Sequence, residues 1–179
     1  MITGKRVVLR MPEKEDLDFI YGLANSEANR RFLNFSRPMS KEEEWIRGVP
    51  KKADSWTDFV FIAVDMGTNK PIGTCGIHRI DKIARHGDIG ITILDDEQEK
   101  GYGPDIIETV LKYGFESLNL EMLTIGAIEN NGRALHVYRD KLGFTYDGLL
   151  RRRKYKDGAY FGEHILSITR EEWLVGKGK

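Results

Sequence analysis

The sequence predicts an α/β fold of the α+β type, with a mixed, mostly antiparallel sheet and helices on both of its faces. Segments in which apolar residues alternate, as they do in strands, recur along the chain. Residues 88–128 follow the order strand, glycine loop, helix, strand, which is typical of a parallel crossover. Near the C-terminus, two strand-like segments flank turn residues at 156–159 and predict an antiparallel hairpin.

The length, charge and residue content of the chain limit the classes of protein to which it can belong. The chain has 179 residues, which suits one domain spanning 1–179 with an ample core. Lys plus Arg and Asp plus Glu both number 28, so charge gives no reason to expect a nucleic-acid or membrane partner. The one cysteine, Cys75, leaves no internal disulfide and is compatible with a reducing cytoplasm. The four histidines show no metal-ligand spacing, so we expect no metal.

The N-terminal third predicts one strand and two helices. A short strand is expected at 6–10, and Pro12-Glu13 then opens a helix whose acidic first turn suits its positive end. Residues 34–38 are interpreted as a loop. Ser40-Lys41-Glu42-Glu43 fits a capping box and predicts a second helix that ends by Pro50.

A hairpin is expected next. Strands at 59–64 and 71–77 flank the turn residues 67–70. Cys75 lies in the second strand and is interpreted as a small buried hydrophobe rather than a nucleophile. The charged stretch 80–86 is interpreted as a loop.

The central crossover contains the most informative stretch, the loop 98–105. Before it, isoleucines alternate in a strand at 88–94; after it, apolar residues repeat at helical spacing over 106–118. The first N–H groups of a helix lack internal partners, and glycines let a ligand approach the backbone, so this junction predicts a phosphate cradle. An ordinary strand-to-helix turn is the alternative. No P-loop string is present, and Ile106 stands in place of the third glycine of a dinucleotide fingerprint.

The C-terminal part predicts a strand at 122–128 and a helix that Asn131 caps and Gly143 ends. Two more strands and a tail helix are then expected, at 145–156, 160–169 and 170–173.

Two motifs in this order resemble those of the GCN5-related N-acetyltransferases, the GNAT family. The loop Gln98-Glu99-Lys100-Gly101-Tyr102-Gly103 matches the family signature (Arg/Gln)-x-x-Gly-x-(Gly/Ala), and the stretch from Asn131 to Phe144 is similar to the second signature, with its Asn, Tyr and Gly-Phe. The resemblance extends over nearly the whole chain. It is greatest to the branch that contains ribosomal-protein N-terminal acetyltransferases and spermidine acetyltransferases.

The resemblance implies an enzyme that uses acetyl-CoA and holds it where the two parallel strands splay apart. The residues implied in contacts with the pyrophosphate and the pantetheine arm are Ile91, Thr92, Ile93, Gln98, Lys100, Gly101, Tyr102, Gly103 and Asn131. Asp105 is compatible with this cradle if its carboxylate points away from the phosphates.

Catalytic roles follow from the same resemblance. Tyr138 matches the tyrosine that protonates the leaving thiolate, and a phenol can do so because its ordinary pKa lies above that of a thiol. In some relatives a glutamate twelve residues earlier acts as the base, but Gly126 occupies that place here. Asp88 and Glu129 are therefore the candidate bases, acting directly or through water.

The acceptor is expected to be a primary amine, either a peptide N-terminus or a small amine such as a polyamine. An acidic pocket would favour a polyamine and an open groove a peptide. The family commonly shapes this pocket with the segment between the first two strands, which here includes Arg30, Arg31, Phe32, Phe35 and Trp45. Packing in the core is the alternative for the three aromatic residues. A CoA-binding regulatory module without turnover is the alternative. The basic run 151–154 is interpreted as a solvated edge strand, and a homodimer is compatible with these expectations.

Overall fold

An eight-stranded sheet runs through the part of the chain that the computed structural model describes, residues 1–30, 40 and 56–177. Its strands are β1 Ile2–Thr3, β2 Val7–Arg10, β3 Phe59–Asp65, β4 Pro71–Asp81, β5 His86–Ile93, β6 Met122–Ile128, β7 Thr145–Lys156 and β8 Ala159–Thr169. They lie in the order β1-β2-β3-β4-β5-β6-β8-β7. Only the β5–β6 pair is parallel among these neighbours, which confirms the predicted mixed, mostly antiparallel sheet.

Helices precede, connect and follow these strands. They are α1 Leu17–Asn25, α2 Glu27–Arg30, α3 Tyr102–Lys112, α4 Gly132–His136 and α5 Arg170–Lys177. Helices α3 and α4 each continue into a π-helical turn, at Tyr113–Ser117 and Val137–Lys141. Within the described ranges, no helix combines the length and apolar character needed to cross a bilayer.

Two element predictions need correction, and two others lie outside the described residues. The first helix begins at Leu17 rather than near Pro12, because Lys14–Asp16 forms a 3-10 turn first. The loop predicted at 80–86 is shorter than expected and spans only residues 82–85, because β4 runs on to Asp81 and β5 begins at His86. The Asp81 carboxylate accepts two backbone N–H groups and tightens this turn. The loop predicted at 34–38 and the helix predicted from Ser40 to Pro50 lie outside the described residues, apart from Ser40 itself.

The core forms where α3 packs on one face of the sheet. Ile106, Ile107, Val110 and Leu111 are all buried, as their helical spacing predicts. They join one apolar cluster with strand residues from β2 to β8. Apolar packing between α3 and these strands therefore holds the helix, and the loop before it, in a defined position beside β5.

The sheet opens between β5 and β6. The two strands pair from His86 opposite Met122 only as far as Ile89 opposite Ile125, although both continue for at least three more residues. Each remains paired with its outer neighbour, β4 or β8, along its remaining length. We call the opening between residues 90–93 and 126–128 the fork, and it is the splayed strand pair that the resemblance implied.

Candidate functional site

Two cavities meet at the fork. The first, the helix-side cavity, has a volume of about 360 Å³ and is lined by the end of β5, the start of α3 and the α4 region. The second, the hairpin-side cavity, has a volume of about 450 Å³ and is lined by β5, β6 and the β7–β8 hairpin. Ile91, Thr92 and Tyr138 line both cavities. A molecule in one cavity can therefore reach a molecule in the other at these three residues.

The glycine loop forms one wall of the helix-side cavity. Gly101 precedes α3 with a φ of 87°, a left-handed conformation that glycine adopts without strain. Gly101, Gly103 and Pro104 line the cavity, and the first N–H groups of the helix have no partner within the helix. The wall thus has the geometry of an anion-binding helix start.

Two loop side chains predicted to take part are turned elsewhere. Lys100 Nζ lies 3.0 Å from Glu97 Oε2. Tyr102 is buried, with the Arg6 guanidinium 4.5 Å from its ring centre, and burial raises the pKa of its phenol. The resemblance implied contacts mainly through backbone N–H groups, and these side-chain positions are compatible with that.

Gln98 joins the loop to the helix that follows β6. Its Nε2 donates to the Ile93 carbonyl oxygen at 3.2 Å, and its Oε1 accepts from Arg133. Arg133 also pairs with Glu99, with 2.8 Å between Nη1 and Oε1. Sequence reasoning missed Arg133, a cation that lines the cavity, although it stands inside the second motif.

Asp105 points away from the cradle. Its two carboxylate oxygens accept the backbone N–H groups of Lys5 at 2.9 Å and Arg6 at 2.7 Å. The carboxylate is buried against the turn between β1 and β2. The Asp105 carboxylate therefore holds that turn through these two hydrogen bonds. Because it points away from the cradle, it is compatible with an anion at the start of α3.

The residues predicted to lie along the cofactor arm all reach the helix-side cavity. Ile91, Thr92 and Ile93 pair with β4 on one side, while their other side borders the fork. Asn131 caps α4, since its Oδ1 accepts the Ala134 N–H at 3.1 Å, and it lines the same cavity.

Tyr138 lies between the two cavities. Its side chain is buried, with its ring 6.2 Å from that of Phe144. Burial raises the pKa of the phenol to about 12, and the positive charge of Arg133 lowers it only in part. The hydroxyl is therefore protonated at neutral pH and can donate to a developing negative charge.

The two predicted acids differ in position. Asp88 lines the hairpin-side cavity, where it accepts from the Thr124 hydroxyl and from Arg79 Nε at 2.6 Å. Glu129 lies outside both cavities, and its carboxylate accepts the Gly162 N–H at 2.7 Å. The structure thus brings Tyr138 and Asp88 to one cavity and leaves Glu129 outside it.

A cluster that sequence reasoning missed lies opposite Asp88. Glu163, Arg153 and Lys154 all line the hairpin-side cavity, so part of the basic run reaches the site. The run is irregular, with a register shift between Leu150 and Lys154. Only the pairing of β8 with β6 places Glu163 here, and that pairing leaves no local signal in the sequence. The acceptor-pocket candidates at 31, 32, 35 and 45 lie outside the described residues.

Comparison with known proteins agrees with this geometry. The family model described as "Acetyltransferase (GNAT) domain" matches residues 6–145. The spermidine N(1)-acetyltransferase of Escherichia coli K12 is 27% identical over 175 residues, covering 98% of this chain and 92% of that protein. An uncharacterized prophage-derived N-acetyltransferase of Bacillus subtilis is 27% identical over 180 residues, covering 98% and 97%.

A solved structure extends the likeness to three dimensions. The crystal structure of spermidine N-acetyltransferase from Vibrio cholerae, in complex with CoA and spermine, superposes with a TM-score of 0.88 and 25% identity. The match covers 94% of this chain and 98% of that one. The resemblance stated from the two motifs is confirmed.

Proposed function

The chain belongs to the GNAT acetyltransferase family and is an N-acetyltransferase with acetyl-CoA as its donor, and we propose that donor and acceptor reach the fork from opposite sides. The observation that carries this proposal is that the helix-side and hairpin-side cavities share Ile91, Thr92 and Tyr138. The alternative of a CoA-binding module without turnover finds no support in the comparisons.

The helix-side cavity suits the donor. Backbone N–H groups at the start of α3 and the guanidinium of Arg133 can hold the pyrophosphate, since both favour an anion. The edge of β5 at 91–93 can pair with an extended arm in the manner of an added strand. This arrangement would bring the thioester to the shared residues.

The hairpin-side cavity suits the acceptor. An amine nitrogen there would attack the thioester carbonyl, and the carbon–sulfur bond would break as the amide bond forms. Tyr138, whose pKa burial raises further above neutrality, would donate its proton to the leaving thiolate. The proton that the attacking amine loses would pass, directly or through water, to Asp88, the predicted base that borders this cavity.

Two classes of acceptor have support. The spermidine acetyltransferases among the relatives favour a polyamine. The described residues of the hairpin-side cavity favour an amine that also carries an anionic group, because four cationic side chains face two carboxylates there: Arg79, Arg153, Lys154 and Lys156 against Asp88 and Glu163. A peptide or amino acid has such a group.

The test is release of CoA from acetyl-CoA, read by a thiol-reactive dye, against spermidine, spermine, dipeptides and amino sugars. Burial raises the pKa of the Cys75 thiol, so the protein itself should add little background. We expect release that depends on one class of acceptor. No release with any of them, together with tight CoA binding by calorimetry, would contradict turnover of these amines.

A further inference from the structure

Glu163 and Lys154 form an ion pair inside the hairpin-side cavity. Lys154 Nζ lies 2.9 Å from Glu163 Oε1, and the exposed fractions of the two side chains are only 17% and 15%. Arg153 Nε lies 3.8 Å from the other carboxylate oxygen. The cavity also contains Asp88 and Tyr138. The pair therefore lies in the cavity that the proposed function assigns to the acceptor.

Gly126 lets the Glu163 carboxylate reach the opening of the fork. Glu163 is the ladder partner of Ile128, but its side chain extends over Gly126. A Cβ at position 126 would lie 2.9 Å from Glu163 Oε1 and 3.3 Å from its carboxyl carbon. Gly126 directly follows Ile125, the last β6 residue that pairs with β5. The carboxylate thus occupies space that any side chain at 126 would restrict.

Lys154 presents to this carboxylate the functional group that an acceptor also carries. A primary aliphatic amine, with an ordinary pKa of about 10.4 as in lysine, is an ammonium ion at neutral pH. The other carboxylate of the cavity, Asp88, already accepts from Arg79 and from the Thr124 hydroxyl. Glu163 is therefore the carboxylate at which the structure already accommodates a primary ammonium group.

We propose that Glu163 receives the ammonium group of the acceptor and that Lys154 occupies this subsite until the acceptor displaces it. The proposal rests on the proposed function, because it concerns the acceptor side of the same site. Glu163 acts here as a positioning residue that sets where the nitrogen lies before it loses its proton and attacks.

The first test is Glu163→Gln, which keeps the side-chain size and removes the charge. With the acceptor that wild type turns over fastest, KM should rise about 10- to 100-fold, as expected for the loss of a charge-assisted hydrogen bond. The affinity for CoA, measured by calorimetry, should stay the same. Glu121→Gln is the matched control, because it removes a carboxylate that is ion-paired with Arg85 at 3.0 Å, away from both cavities, and should leave KM unchanged.

The second test is Lys154→Met, for which the proposal predicts the opposite sign. Without the resident cation, KM for the acceptor should fall, while thermal unfolding confirms that the variant is folded. An increase of KM in both variants would mean that the ion pair only supports the structure, and it would overturn the proposal. An unchanged KM in Glu163→Gln would overturn it as well.

If the proposed function itself is wrong, the result differs from the outcomes that would overturn only the role of Glu163. Wild type would then release no CoA with any amine. In that case, spermidine binding to the CoA complex is compared by calorimetry in wild type and Glu163→Gln. Equal affinities would overturn the role of Glu163.

Discussion

Tyr138 is the residue whose environment most directly suits a chemical task. Burial raises the pKa of its phenol to about 12, so the phenol stays neutral even at alkaline pH. Tyr138 lines both cavities, where the proposed function places donor and acceptor. A neutral phenol can give its proton to a thiolate, whereas a phenylalanine ring of nearly the same shape cannot.

Tyr138→Phe should therefore lower kcat about 100-fold or more, the usual contribution of a general acid. Its affinity for CoA should not change, because the ring still packs against Phe144. Steady-state rates and calorimetry measure the two quantities. Because the phenol is protonated up to a pKa of about 12, wild type should show no loss of kcat from Tyr138 ionisation between pH 7 and pH 10. Equal kcat values in wild type and variant would remove the acid role.

At this scale, the site residues that sequence reasoning proposed from a motif lie together in the structure, and their roles stay predictions. Gly101, Asn131 and Tyr138 all belong to one of the two motifs, and each lies at the helix-side cavity. Glu163 could not be found in the same way. Its place at the fork depends on the empty space above Gly126, which arises only when β6 and β8 pair.

At the scale of elements, one ion pair joins β2 to the start of α1. Arg10 donates two parallel hydrogen bonds to the carboxylate of Asp16, both 2.6 Å long. Asp16 also accepts the Glu13 N–H at 2.8 Å, which holds the 3-10 turn before the helix. The pair thus connects the end of β2 to the turn that precedes α1.

Asp16→Asn should lower the free energy of unfolding at pH 7 by about 2 kcal/mol, the range for a hydrogen bond to a charged group. The hydrogen bonds from Arg10 hold the pKa of Asp16 below its ordinary value. The stability that the pair contributes is therefore present above the ordinary pKa of about 3.9 and is lost as pH falls through the lower native pKa.

Urea denaturation at several pH values checks this prediction. The difference between wild type and Asp16→Asn should shrink as pH falls below about 4. Asp147→Asn, at an exposed position of β7, is the control and should change the free energy of unfolding by less than about 0.5 kcal/mol. A difference that stays constant with pH would show that the charge of Asp16 does not stabilise the fold.

The elements themselves were predictable where the pattern was local. The strand at 122–128 has the predicted bounds, and the turn at 156–159 has positive φ angles at Asp157 and Gly158, as a tight hairpin requires. The loop predicted from charge at 80–86 is present but covers only residues 82–85. Arg79 and Arg85 adopt positive φ angles, which let the two strands reverse direction within a few residues.

At the scale of the whole molecule, the fork is the place where the two proposed substrate cavities meet. The parallel pair β5–β6 ends at Ile89 and Ile125, while β4 and β8 still hold the two strands from outside. An opening in the sheet results, and the two cavities that share Ile91, Thr92 and Tyr138 border it. The crossover could be predicted from the order of elements, but the opening came only from the resemblance, since strand separation is a property of long-range pairing. The homodimer stays a prediction.

This arrangement predicts direct transfer through a ternary complex. If donor and acceptor occupy the two cavities as proposed, neither must leave before the other binds, because the cavities are separate and meet at shared residues. A covalent acetyl-enzyme would need a nucleophile, and Cys75, the sole cysteine of the chain, is buried, with the pKa of its thiol raised by that burial. Initial rates measured over a grid of both substrates should therefore give intersecting double-reciprocal lines.

A second measurement distinguishes direct transfer from a pathway through a covalent acetyl-enzyme. Enzyme mixed with acetyl-CoA alone should show no burst of CoA release, and its mass should stay unchanged. A Cys75→Ala variant, which removes the thiol, should keep the same kinetic pattern, although it leaves a small cavity beside β3 and β5 that lowers stability. Parallel double-reciprocal lines, together with a mass increase of one acetyl group on Cys75, would contradict direct transfer. They would indicate a route through a covalent acetyl-enzyme.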